Sequence, residues 1–170
     1  MTRRDFILKW LLYALALLPV LLLEVYIFPW IPIFGIIPSL LPVAAITVAM
    51  LEGPTAGAGF GLFVGILSDA LTAGTPGPMI FLLAVLGYAA GIASRYGIRQ
   101  NMLGCLICSA SALFLINVLR IIYALFRGTA TLWRLILVAF PEILISLIFL
   151  PLIYGIFLWV FRRVPHVSVL

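Results

Sequence analysis

The chain has 170 residues, of which 66% are apolar and 9% charged. So few charges cannot keep a surface of this size dispersed in water, which excludes a soluble domain and specifies a single integral membrane domain over 1–170. The net charge of +5 is scattered over segment ends rather than gathered in a run, which argues against nucleic acid as a partner and leaves the basic residues to set orientation in the membrane.

The opening MTRRDFILKW has the form of a secretory n-region. The apolar run after it continues to about Phe28, and the small residues Ala14 and Ala16 lie inside that run, so the expectation is an uncleaved first transmembrane helix over 10–28. A span needs ~20 apolar residues. Further candidates lie at 35–51, which carries Pro38 and Pro42, and at 55–72, 79–94 and 102–125. The last apolar stretch, from Thr131 to Phe161, is too long for one upright helix. Pro141 is its natural break: 141–161 would span, and 131–140 would lie in the interface with Trp133 and Arg134 at headgroup level. The alternative is a single long, tilted helix that includes 131–140. The joins carry turn chemistry (FPWIPIFG, EGPT, TAGTPGP, RYGIRQN and FRGTAT), and short joins favour antiparallel neighbours.

Six helices place Arg3, Arg4, Lys9, Arg95, Arg99, Arg162 and Arg163 on one side and only Arg127 and Arg134 on the other. The positive-inside rule then predicts that both termini are cytoplasmic, and Trp30, Trp133 and Trp159 fall near the expected interfaces. The expected fold class is therefore an all-α membrane protein of six transmembrane helices.

The third span contains GAGFGLFVGILSDAL, with glycine at 57, 61 and 65 and a carboxylate, Asp69, at the next step. Residues four apart stack on one helix face, so Gly57, Gly61 and Gly65 form a flat groove into which another backbone fits closely. Gly87 and Gly91 form a second such pair on the fourth span. The grooves serve either internal packing or a partner helix, and the sequence leaves both open. Asp69 points toward the same face, where a carboxylate costs ~2.5–3.5 kcal/mol even on insertion scales. Glu24, Arg120 with Asn117 a turn before it, and Glu142 fall at the same outer depth. One expectation is a shared polar cluster of Glu24, Asp69, Asn117, Arg120 and Glu142, with Arg120 paired to at least one acid. The other is that each charge snorkels separately to the interface.

The remaining polar residues carry no catalytic constellation. Glu52 sits at a predicted cytoplasmic turn within reach of Arg95 or Arg99. Cys105 and Cys108 form a C-x-x-C pair, but in an apolar span with no neighbouring base they read as small packing residues rather than a redox or metal site. The one histidine, His166, lies in a short tail, and GAGFG lacks the strand and lysine of a phosphate-binding loop. No enzyme activity, cofactor or metal is expected. A channel is disfavoured because the inner two thirds of the spans lack a polar face.

The run EGPTAGAGFGLFVGILSDALTAGTPGP followed by LLAVLGYAAG resembles the MreD family of rod shape-determining membrane proteins. The family pattern is a glycine series, then Gly-Leu/Ile-Leu-x-Asp, a glycine-containing loop and a Gly-Tyr-x-x-Gly helix. The matching positions are Gly57, Gly61, Gly65, Ile66, Leu67, Asp69, Gly74, Gly77, Gly87, Tyr88 and Gly91, within about residues 38–95. Pro38-Ser39 departs from the Pro-Asp expected there. The resemblance implies a non-enzymatic scaffold subunit of the elongasome in the bacterial inner membrane. Such a subunit binds MreC and connects, directly or through it, to MreB, RodA and a penicillin-binding transpeptidase in lateral cell-wall synthesis. It also implies a fold similar to the substrate-binding components of energy-coupling-factor transporters. That similarity supplies the rival reading, a vitamin- or metal-binding transporter component. The docking row Ala-x-x-x-Ala usual on the first helix of those components is not matched, because Ala14 and Ala16 are two apart and face different ways.

Overall fold

The computed structural model describes residues 3–30, 38–71, 78–96, 101–126 and 132–163, and all of its regular structure is helical. Helix α1 (Arg3–Leu22) passes through a π-helical turn (Leu23–Ile27) into the short α2 (Phe28–Trp30). There follow α3 (Leu40–Glu52), α4 (Pro54–Leu71), α5 (Pro78–Tyr96), α6 (Met102–Phe126) and α7 (Leu132–Arg163). Stretches in α1, α4, α5, α6 and α7 are long and apolar enough to cross a membrane, so the chain is a multi-pass membrane protein. The expected spans 55–72, 79–94 and 102–125 correspond to α4, α5 and α6. The start of the span expected at 35–51 falls partly outside the described residues, and its helical part is α3.

Helix α3 does not occupy the place its sequence suggested. At 13 residues it is about 20 Å long, against a hydrocarbon core of ~30 Å. Every residue from Leu40 to Leu51 is buried, so α3 has no lipid-facing side. It packs against α1, α4, α5, α6 and α7. Those five helices close around it: α1 lies beside α7, α7 beside α6, α6 beside α5 and α5 beside α4. The circle is completed where Trp10 and Tyr13 of α1 meet Phe60 of α4, with ring centroids 6.2 Å apart in each pair. Uniformly apolar composition on all faces, as in LLPVAAITVAM, is what a helix enclosed by other helices requires.

The π-helical turn in α1 resets the register of its two faces. Before it, Leu8, Leu11, Leu15, Leu18 and Leu22 face outward while Tyr13, Leu17 and Val20 face the core. Within it Tyr26 is outward, and after it Trp30 is outward and Phe28 packs inward on Phe149 at 5.2 Å between ring centroids. A single π turn accommodates one extra residue, and here it lies across Glu24. Tyr13 in the middle of α1 stacks on Phe157, while Phe28, further along the chain in α2, meets Phe149, earlier in α7, so the first helix and α7 run antiparallel. The beginning of α1 and the end of α7 therefore lie at one end of the bundle.

The expected break at Pro141 is not present. Helix α7 runs without interruption from Leu132 to Arg163, through both Pro141 and Pro151, and 132–140 extends it rather than forming a separate interfacial helix. In water a proline inside a helix costs ~3 kcal/mol and often ends it. In hydrocarbon a helix break would strand several more backbone groups, so continuing past the proline is the cheaper course.

Helices α3 and α4 are joined by Gly53 alone. Its φ of +99° is open to glycine and strained for other residues, and its N–H donates to the Ala49 carbonyl at 3.0 Å. Pro54 then opens α4, where its missing N–H costs nothing. This is the turn expected from EGPT.

Candidate functional site at the ends of the buried helix

The glycine rows are consumed inside the bundle. A Cβ on Gly57 would lie 2.6 Å from the Gly87 carbonyl oxygen, and one on Gly65 would lie 2.6 Å from the Ile80 Cα. Gly61 abuts the Leu83 carbonyl, Gly87 abuts the Gly57 carbonyl, and Gly91 abuts the Pro54 backbone. The pairs 54 with 91, 57 with 87, 61 with 83 and 65 with 80 keep one antiparallel register along the whole of α4 and α5. Glycine is required here because the two backbones touch, and the gain is dispersion along the seam. Of the two uses open in the sequence, the structure shows internal packing.

The same register carries Asp69 past the start of α5 at Pro78. Asp69 is half-buried near the end of α4. Among the described bonds, those of Glu24 run to Leu40 and Leu41, and those of the Arg120 and Glu142 side chains to each other and to Ser39.

Three of the expected members do come together, around the amino end of α3. One carboxylate oxygen of Glu24, in the π turn of α1, accepts the backbone N–H of Leu40 at 2.9 Å and of Leu41 at 2.7 Å. Arg120 of α6 donates from Nη1 to Oε1 of Glu142 on α7 at 3.2 Å. The Ser39 hydroxyl donates to that same carboxylate oxygen. The Ser39 N–H donates to Oγ of Ser146 at 3.0 Å, and the Ser146 hydroxyl donates to the Glu142 carbonyl at 2.7 Å. Asn117 is buried one turn before Arg120, but its amide donates to Leu113 of its own helix at 3.1 Å.

This arrangement follows from where α3 begins. The first N–H groups of a helix have no intrahelical acceptor, and inside a membrane no water replaces it. Ser39 occupies the cap position yet spends its hydroxyl on Glu142. The capping role passes to Glu24, whose negative charge also complements the positive end of the α3 dipole.

The carboxyl end of α3 is compensated in the opposite sense. Among the described residues Glu52 bonds Lys9 and Tyr13 rather than Arg95, the described one of the two cations expected from the sequence. Lys9 Nζ of α1 lies 2.5 Å from one of its oxygens, and the Tyr13 hydroxyl donates to the other at 2.6 Å. The expectation followed the nearest join, whereas α1 passes the end of α3 and presents Lys9 and Tyr13 one turn apart on one face. The Arg95 guanidinium lies beside Gly53, where a Cβ would be 3.3 Å from it, and Arg99 lies outside the described residues. An acid thus serves the amino end of α3, and cations gather at its carboxyl end, as the dipole demands.

Ser39, Ser146, Lys9 and Tyr13 are the members that sequence reasoning missed. Serine just before an apolar helical run is an N-terminus signal, and Ser146 lies one turn from Glu142 on the same face. Cys105 and Cys108 are free and buried, with the Cys105 thiol 3.4 Å from the Thr47 hydroxyl of α3. They pack α6 against α3. No protein-family model, curated protein or solved structure matches this chain.

Proposed function

We propose that the protein is a non-enzymatic scaffold subunit of the MreD kind in the bacterial inner membrane, binding MreC and helping to organise lateral cell-wall synthesis. Under this reading both termini face the cytoplasm, and the bundle is similar to that of the energy-coupling-factor substrate components. The observation that carries it is the use of the motif residues: Gly57, Gly61, Gly65, Gly87 and Gly91 make one seam between α4 and α5. The polar groups of the cluster are likewise engaged in bonds that hold α1, α3, α6 and α7 to one another. Such a body offers a rigid outer surface to a partner, and with the grooves filled by α5 the partner contacts outward-facing side chains instead.

The test is purification of the tagged chain from native membranes with identification of what accompanies it. Retention of MreC is the expected result. A tightly held vitamin or metal, with thermal stabilisation by that compound and no MreC, would overturn the reading in favour of a transporter component.

A further inference from the structure

We infer that Arg120 and the surface beside it form a binding site for the phosphodiester headgroup of an anionic phospholipid. Arg120 differs from the other members of its cluster in exposure: 46% of its side-chain surface is open, against 9% for Glu142. One edge of the guanidinium bonds Glu142, and the remainder faces out of the bundle from α6. A guanidinium has five donors in a rigid fork that matches a phosphate, and in hydrocarbon an unsatisfied donor is costly.

Depth selects the ligand. Helix α6 has 25 residues and is about 38 Å long, so it exceeds a ~30 Å hydrocarbon core by roughly 4 Å at each end. Arg120 lies six residues before the end of α6 at Phe126, about 9 Å along the axis. Its Cα is then about 5 Å inside the boundary, a distance an arginine side chain covers by extending toward the headgroups. Leu119 and Tyr123 beside it are exposed, one suited to acyl chain and the other to the headgroup level.

The nearby carboxylates have bonds of their own. Glu24 is turned to the Leu40 and Leu41 amides, and Glu142 is shared between Ser39 and Arg120. The site is independent of which protein partner the chain binds.

The experiment uses the full chain in detergent micelles doped with phosphatidylglycerol, with diacylglycerol of the same acyl chains, or with inorganic phosphate alone. Thermal unfolding and native mass spectrometry are the readouts. Phosphatidylglycerol is expected to raise the unfolding temperature and to remain bound, while the other two are not. The double variant Arg120→Gln/Glu142→Gln removes both charges together and leaves Ser39 an acceptor, and it is expected to lose about fivefold in preference for phosphatidylglycerol. Equal stabilisation by diacylglycerol, an effect reproduced by inorganic phosphate alone, or undiminished preference in the double variant would each overturn the proposal. The wild-type arms decide the matter even if the variant does not fold.

Discussion

The carboxylate of Glu24 accepts the N–H of Leu41 at 2.7 Å, joining a π-helical turn in the first helix to the first turn of a helix that no lipid touches. One side chain thereby closes two otherwise orphaned donors, since Leu40 uses the same oxygen. Replacing Glu24 with Leu leaves both amides unsatisfied in an apolar setting and is expected to cost about 1–3 kcal/mol for each. Glu24→Gln keeps an acceptor oxygen and loses only the charge, so it should be the milder change. Unfolding in mixed micelles by increasing SDS would rank the two, and equal losses would show that the charge rather than the capping matters.

The seam between α4 and α5 predicts opposite outcomes for two neighbouring glycines. Gly61 touches the Leu83 backbone, whereas a Cβ on Gly59 would meet nothing within 4 Å. Gly61→Ala is expected to destabilise by about 1–3 kcal/mol through overpacking. Gly59→Ala is expected to be neutral or slightly stabilising, as alanine is the better helix former. The same unfolding assay reads both, and similar behaviour of the two variants would contradict the register described.

The ion pair at the other end of α3 is largely enclosed, with side-chain exposures of 15% for Lys9 and 10% for Glu52. Lys9→Met alone strands the Glu52 carboxylate, at a cost of about 3–5 kcal/mol. Lys9→Met with Glu52→Gln removes both charges and should be more stable than the single variant. A double-mutant cycle measures this directly, and simple additivity would mean that the two residues do not interact in the folded protein.

The sequence allows Asp69 as a partner of Arg120, and in the structure Arg120 bonds Glu142. Losses from Asp69→Asn and Arg120→Gln should add to within about 0.5 kcal/mol, whereas Arg120→Gln and Glu142→Gln should show clear coupling. Coupling in the first cycle would restore the pairing that the bond network leaves out.

The sequence is informative wherever the cause is local or one-dimensional. Apolar length marks α4, α5 and α6, and glycine with proline marks the single-residue turn at Gly53. Spacing of four reveals the packing face of α4, and counting depth from the helix ends brings Glu24, Arg120 and Glu142 to one level. What it does not reveal depends on neighbours distant in the chain. Apolar composition alone cannot separate a helix surrounded by lipid from one surrounded by protein, so α3 looked like one more short span. The described partners of Glu52 come from a helix about 40 positions earlier, which proximity along the chain does not reveal. Pro141 misleads for a different reason: the rule that proline ends a helix assumes water to satisfy the released groups.

The enclosure of α3 bears on how the chain is made. At 13 residues α3 is too short to cross alone, and the one-residue turn at Gly53 couples it to α4, so the two are expected to insert together. Glu24 has already been synthesised at that moment and can cap the Leu40 and Leu41 amides at once. Glu142 and Ser146, which hold Ser39, arrive only with the last helix. The final site of α3 is complete only when α7 closes the circle, so a chain truncated before Leu132 is expected to hold α3 capped by Glu24 but open on the side that α7 covers, a natural substrate for membrane quality control.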